Sequence, residues 1–247
     1  RNLARPEPAS ALAPRATLDA LAPDLAELPL PFIRHQLKSH AEQMSRGLSA
    51  LPLIGTLPLD RLPRTMTLEV NQDTPNDTLY PTHLLAVIAP CMPMDGQVAF
   101  IPIHGLVLGA HCDAPLLGDP PVPPIEMLRP GVLTLPVCRV YLPSMNAVFL
   151  LREYMYTERT EAVLRQLLML PVVLPHSTVK AVLSSEAELL RLAAHLAKTH
   201  PALDPLVECS TRVRHVWQTA CCMGMYHTPL WDALELAWEL VVVALNL

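Results

Sequence analysis

The sequence predicts an α+β fold: short strands in the middle of the chain, a helix before them and a series of helices after them. Proline is the first sign of this division. The chain holds 27 prolines in 247 residues, against roughly 5% in ordinary globular chains. Of these, 21 precede residue 137, so proline punctuates the first half and leaves long uninterrupted runs in the second. The second sign is the run of β-branched segments between residues 65 and 142, bounded by Gly and Pro. The third is a change to helical spacing of apolar residues from Pro143 onward.

Composition narrows the class. Hydrophobic residues make up 51% and charged residues 17%, with 8 glycines and a mean hydropathy of +0.30. A disordered linker lacks that much Leu and Val, and collagen needs glycine at every third position, so both are excluded. The formal net charge of −5 argues against a nucleic-acid surface spread over the domain. Six cysteines without a C-x-x-C pair read as reduced, mostly buried thiols of an intracellular protein. The chain opens on Arg1 and not on Met, so its N-terminus is left open, and within the given residues no basic stretch leads into an apolar one as in a secretory leader. Residues 78–94 and 96–112 lack Asp, Glu, Lys and Arg. Prolines 81, 90, 93 and 102 nevertheless suit buried strands and turns better than membrane spans.

Taken in order, residues 1–27 form a Pro/Ala-rich segment expected to be poorly ordered or a short helix around Leu18–Leu25. Residues 28–64 form an N-terminal helical segment. Within it Ile33, Leu37, Met44, Leu48 and Leu51 make one apolar stripe, with Pro31 in a first turn and Pro52 ending the run. TMTLEVN (65–71) alternates with Met66, Leu68 and Val70 on one face, and three more strand-like segments follow. PLLGDPPVPP (115–124) reads as a stiff polyproline II connector. Ser144 is an N-cap for MNAVFLLREYMYT. Further helices are expected at 160–170, 176–183, 186–199, 205–225 and 229–246. In the last, Asp232, Glu235 and Glu239 at helical spacing mark a charged face. The resulting division is 65–200 for a central α+β domain and 201–247 for a helical extension packed on it.

No G-x-S-x-G, Walker, dinucleotide-binding or H-E-x-x-H motif is present. His104, His111 and Cys112, joined by Cys91 or Cys138, are the best metal-ligand candidates, but the paired spacing of zinc sites is missing. Cys209 with His215 is a weaker candidate for nucleophile chemistry, and His176 reads as a helix start. Cys221 and Cys222 read as core residues of an apolar helix. Arg212, Arg214 and His215 with Trp217 make a small basic patch that reads as a solvated helix face. No catalytic residue, cofactor or metal is expected. The alternative kept open is a metal-binding or cysteine/histidine-dependent enzyme.

Two segments carry a resemblance. IHGLVLGAH (103–111), through His104, Leu108 and Ala110, resembles the strand-to-helix element of BTB/POZ domains. VYLPSMNAVFLLREYMYTERT, through Ser144, Tyr154, Tyr156 and Thr157, resembles the next element. There Met145, Val148, Leu151 and Met155 form an apolar stripe, and the two tyrosine hydroxyls are expected where core meets solvent. LLRLAAHLA (189–197) resembles the helix that follows. Two features depart from the BTB pattern: CDAPLLGD with its proline-rich loop, and Gly105 where a basic residue is common. Both bear on the surface through which BTB domains dimerise. Over nearly the whole chain, LPFIRHQLKSHAEQMSRGLSALPLIGTLP, HGLVLGAH, LPSMNAVFLLREYMYTERT and VWQTACCMGMYHTPLWDALELAWELVV resemble the clampless family of basidiomycete fungi. The resemblance implies a non-enzymatic nuclear regulator of sexual development, acting in clamp-cell formation and dikaryon proliferation. It implies binding to transcription factors, downstream of the mating-type homeodomain proteins, without direct nucleic-acid or membrane contact.

Overall fold

The computed structural model describes residues 15–71, 73–118, 121–124, 131–169, 176–200 and 202–247. Most of the Pro/Ala-rich opening therefore lies outside the described residues. Its remainder carries helix α1 (Ala16–Leu21) and a single 3-10 turn over Pro23–Leu25. Leu18 is fully buried against Ile33 and Ala110. The N-terminal apolar stripe forms two helices instead of one: α2 (Leu30–Ser39) and α3 (Ala41–Ser49). The break falls at His40, whose φ and ψ of −97° and 5° leave the helical region. It lets the two halves face different cores, Ile33 toward Leu18 and Ala110, and Met44 toward the main cluster.

Five strands make one sheet: β1 (Leu57–Pro58), β2 (Thr65–Glu69), β3 (His83–Ile88), β4 (Gln97–Ile103) and β5 (Val132–Tyr141), in the order β1-β4-β3-β5-β2. β3 and β4 pair antiparallel, and β5 returns parallel to β3. A parallel return needs a crossover, and that crossover begins with helix α4 (Gly105–His111). β3 is buried at all six positions, as a strand covered on both faces must be. Leu85, Val87, Ile101 and Val140 face the helices, while Leu84, Ala86, Phe100 and Leu133 pack under the segment from Leu51 to Leu62.

After the sheet come α5 (Met145–Thr157), α6 (Thr160–Leu168), α7 (His176–Leu183), α8 (Glu186–Thr199), α9 (Leu203–Met223) and α10 (Thr228–Leu245). The mixed α+β class expected from the sequence is the observed one. The charged face expected on α10 is not. α6, α7, α8 and α9 all pack on α10, so most of its surface is buried. Asp232 is 6% exposed and lies 3.7 Å from the ammonium of Lys180 on α7, and Glu239 alone of the three acids is exposed. The boundary drawn after residue 200 therefore runs through one helical bundle. Cys221 and Cys222 are exposed instead of buried. α9 buries Cys209, Val213, Val216, Trp217 and Ala220 at helical spacing, which turns the paired cysteines outward.

One close approach tests this packing. A Cβ on Gly47 of α3 would sit 1.8 Å from the carbonyl oxygen of Leu79, whereas one on Gly55 would meet nothing within 4 Å. Gly47→Ala is expected to destabilise the chain by about 2 kcal/mol or more, through overpacking against backbone that cannot swing aside. Gly55→Ala should be neutral within about 0.5 kcal/mol. Urea denaturation of both variants checks the contrast.

Candidate interaction site

The signature residues converge on α5. Ser144 caps the helix, its Oγ accepting the backbone N–H of Ala147 at 3.3 Å. Leu108 and Ala110 of α4 are buried, and Thr157 bonds back to the carbonyl of Glu153. Along the stripe, Val148, Leu151 and Met155 are buried while Met145 is exposed. The tyrosine hydroxyls do not lie where core meets solvent. Tyr154 and Tyr156 are both buried, and each hydroxyl meets a histidine.

Hydrogen-bond arithmetic assigns the His104 ring. Its Nε2 lies 3.1 Å from the carbonyl of Leu79, which can only accept, so Nε2 carries the proton. Its Nδ1 then accepts from the Tyr156 hydroxyl at 2.7 Å, and that oxygen accepts the backbone N–H of His104 at 3.1 Å. Every polar atom of the pair is satisfied with a neutral imidazole and a neutral phenol. Burial, the dominant cause, together with the Arg152 charge lowers the His104 pKa to about 4, against the opposing bond to Leu79. Burial likewise raises Tyr156 to about 12.

His83 is built the same way, although no sequence motif marks it. Its Nε2–H donates to the carbonyl of Val122 at 2.7 Å, tying the proline-rich loop to β3. The Thr82 hydroxyl donates to its Nδ1 at 2.8 Å and accepts the backbone N–H of Gly105 at 2.8 Å. Gly105 must be small here, because a Cβ would stand 2.9 Å from the His83 ring. On the other side of α5, Tyr154 bonds to Nδ1 of His227, whose ring meets buried His111 edge to face at 6.2 Å. Burial, then the charges of Arg34 and His227, hold His111 well below its ordinary pKa.

The candidate ligands therefore part company. His104 faces Tyr156 and Leu79, His111 faces His227, and the Cys112 thiol lies 3.7 Å from the Met155 sulfur. Among the described residues no group of three or more His, Cys, Asp or Glu side chains is placed to hold a metal ion. Burial raises the Cys112, Cys138 and Cys209 thiols, the second to about 11, away from nucleophilic use. In the basic patch Arg212 pairs with Glu208, while Trp217 lies inside the core against Trp231. His176 begins α7. Among the described residues no helix is long and apolar enough to cross a membrane.

What lies open is the outer side of α5. Two adjoining hollows of about 390 and 550 Å³ share Asn146, Leu150 and Gln166. Leu48 of α3 walls the larger hollow, and Thr211 and Arg212 of α9 wall the smaller. Phe149, 39% exposed, lines the larger one, and the Arg152 guanidinium lies 5.3 Å from its ring centroid. Sequence reasoning missed both residues. Their trace is an aromatic on the helix side opposite Val148, Leu151 and Met155.

Fold and site together define an α+β protein whose buried histidines hold its loops and whose middle helix borders an open groove. Residues 8–143 match the Clampless protein 1 N-terminal domain, and residues 161–247 match the Clampless protein 1 C-terminal domain. The chain belongs to the clampless family, and that membership carries a role in fungal sexual development. The two matched regions flank α5. No curated protein and no solved structure matches the chain.

Two consequences can be measured. Folded His104 titrates near 4 while an exposed histidine titrates near 6.5, so between these values the unfolded chain binds the extra proton. Its contribution to stability is complete above pH 6.5 and falls with pH, by on the order of 2 kcal/mol at pH 5. Denaturation midpoints at pH 7.5 and 5 should converge in His104→Gln relative to the unsubstituted chain. An equal acid loss in both refutes the role given to His104. Tyr156→Phe removes the donor to Nδ1 and the acceptor for the His104 N–H, and is expected to cost about 1–3 kcal/mol in the same assay.

Proposed function

We propose that the chain is a non-enzymatic nuclear regulator of clamp-cell formation and dikaryon proliferation, acting by binding transcription factors. Mating-type homeodomain proteins are the first partners to test. The observation that carries this reading is the division of labour among side chains. His83, His104, Tyr154 and Tyr156 are bonded to fold-holding partners, while a groove of mixed polar and apolar lining stands open along α5. Reactive groups tied up in this way suit a scaffold, and an open groove between helices suits recognition of another chain.

A BTB/POZ-like centre is part of the proposal. The sequence hairpin β3–β4, helix α4, parallel strand β5 and Ser-capped helix α5 supports it as a likeness of topology. The reading is tested by co-precipitation of the full chain with mating-type homeodomain proteins from nuclear extract, alongside cell fractionation. Recovery of such a factor with nuclear chain is the expected outcome. A chain confined to the cytoplasm that recovers no transcription factor overturns it.

A further inference from the structure

We infer that the free edge of β2 pairs antiparallel with the β2 edge of a second copy of this chain, joining two sheets across a two-fold axis at Thr67. The contact lies on the sheet and does not depend on the partners proposed above. The argument begins with backbone groups. The sheet ends on β1 at one edge and on β2 at the other. β1 is two residues long and includes Pro58, so that edge offers little to pair with. β2 has five residues, and its ladder runs on at both ends. The Val137 N–H donates to the Arg64 carbonyl at 2.9 Å, and the Val70 N–H donates to the Gly131 carbonyl at 3.0 Å. With the unbroken register between these rungs, the backbone groups of Arg64, Met66, Leu68 and Val70 point at β5. Those of Thr65, Thr67 and Glu69 therefore point away from the sheet. All three residues are exposed, and among the described residues no backbone partner meets these groups.

The residues of the edge select a second copy. Native edges are commonly guarded by lysine, proline or a bulge, and from Thr65 to Glu69 there is none. When two such edges meet antiparallel about Thr67, Thr67 faces Thr67, and Thr65 of each copy faces Glu69 of the other. This register uses all three outward residues of both copies, each rung exchanging two hydrogen bonds. It opposes no like charges, and it sets Glu69 one position from Arg64 of the second copy. A shift by one residue would turn the two apolar faces, with Met66 and Leu68, to opposite sides. Thr67 already meets Thr134 of β5, hydroxyl to hydroxyl, at 3.1 Å. The joined sheet thus carries one row of threonines across both copies, and threonine opposite threonine favours pairing. Three rungs make a small contact, so the dimer is of the weak, concentration-dependent class.

The test is sedimentation velocity of the full chain from about 1 to about 300 μM, with amide hydrogen exchange followed at both ends of that range. A concentration-dependent dimer is expected. Exchange at Thr65, Thr67 and Glu69 should slow as the concentration rises, while Met66 and Leu68 stay protected throughout. Thr67→Pro removes an N–H that meets no backbone partner in the single copy, and should weaken the dimer by about tenfold or more. Should Thr67→Pro lower the melting temperature, Thr67→Lys opposes like charges at the same exposed position and provides the same loss. Charge reads the register: Thr65→Glu should weaken the dimer by facing Glu69, and adding Glu69→Lys should restore it. A chain that stays monomeric overturns the inference. So does a dimer unchanged by both Thr67 variants, or one that Thr65→Glu leaves intact or that Glu69→Lys fails to restore. Edge amides that gain protection only when another protein is added overturn it as well.

Discussion

The structure depends on α5 being held from two sides by two tyrosines. Residues two apart on an α-helix point about 200° apart, so Tyr154 and Tyr156 leave α5 in nearly opposite directions. Tyr156 reaches back to His104 at the end of β4, and Tyr154 reaches forward to His227 at the start of α10. The sheet and the C-terminal bundle are thereby fastened to one helix through the hydroxyls of two buried tyrosines. Inside a core such bonds are worth keeping, because an unpaired partner would bear its full desolvation cost. The same arrangement leaves the remaining side of α5 uncovered, which is where the groove lies.

A second theme explains how so much proline is accommodated. Each proline lacks an N–H, so proline-rich segments carry more backbone acceptors than donors. Side chains supply the difference. His83 donates to Val122, next to Pro123, and Arg139 donates to Leu62, next to Pro63. Arg15 donates to Leu28, next to Pro29, and Arg152 donates to Pro102 itself. One histidine and three arginines are here the missing donors of the loops.

Much of the second half was legible because proline and capping residues act locally. α7 and α8 fall at 176–183 and 186–199, the bounds read from apolar spacing and flanking signals, and Ser144 caps α5 as its type and position require. Features set by distant neighbours were not legible. The break at His40 arises because Ile33 and Met44 join different cores. Asp232 was read as a surface acid since its helical neighbours Glu235 and Glu239 made a charged stripe, yet it is buried beside Lys180 of α7. Cys221 and Cys222 sit in an apolar stretch whose buried face is chosen by α10. Phe149 and Arg152 left no motif, because a groove is made by its walls and only its floor is in α5.

By itself the sequence determined the α+β class, the limits of α7 and α8 and membership of the clampless family. These rest on backbone restrictions, periodicity and motifs that act over a few residues. Tertiary structure alone decided that His104 meets Tyr156 across 52 residues, that His83 pins the proline loop, and that α10 is an inner helix. The physical reason is that burial, and with it the protonation of a histidine or the cost of an exposed aromatic, belongs to the assembled neighbours and not to any one segment.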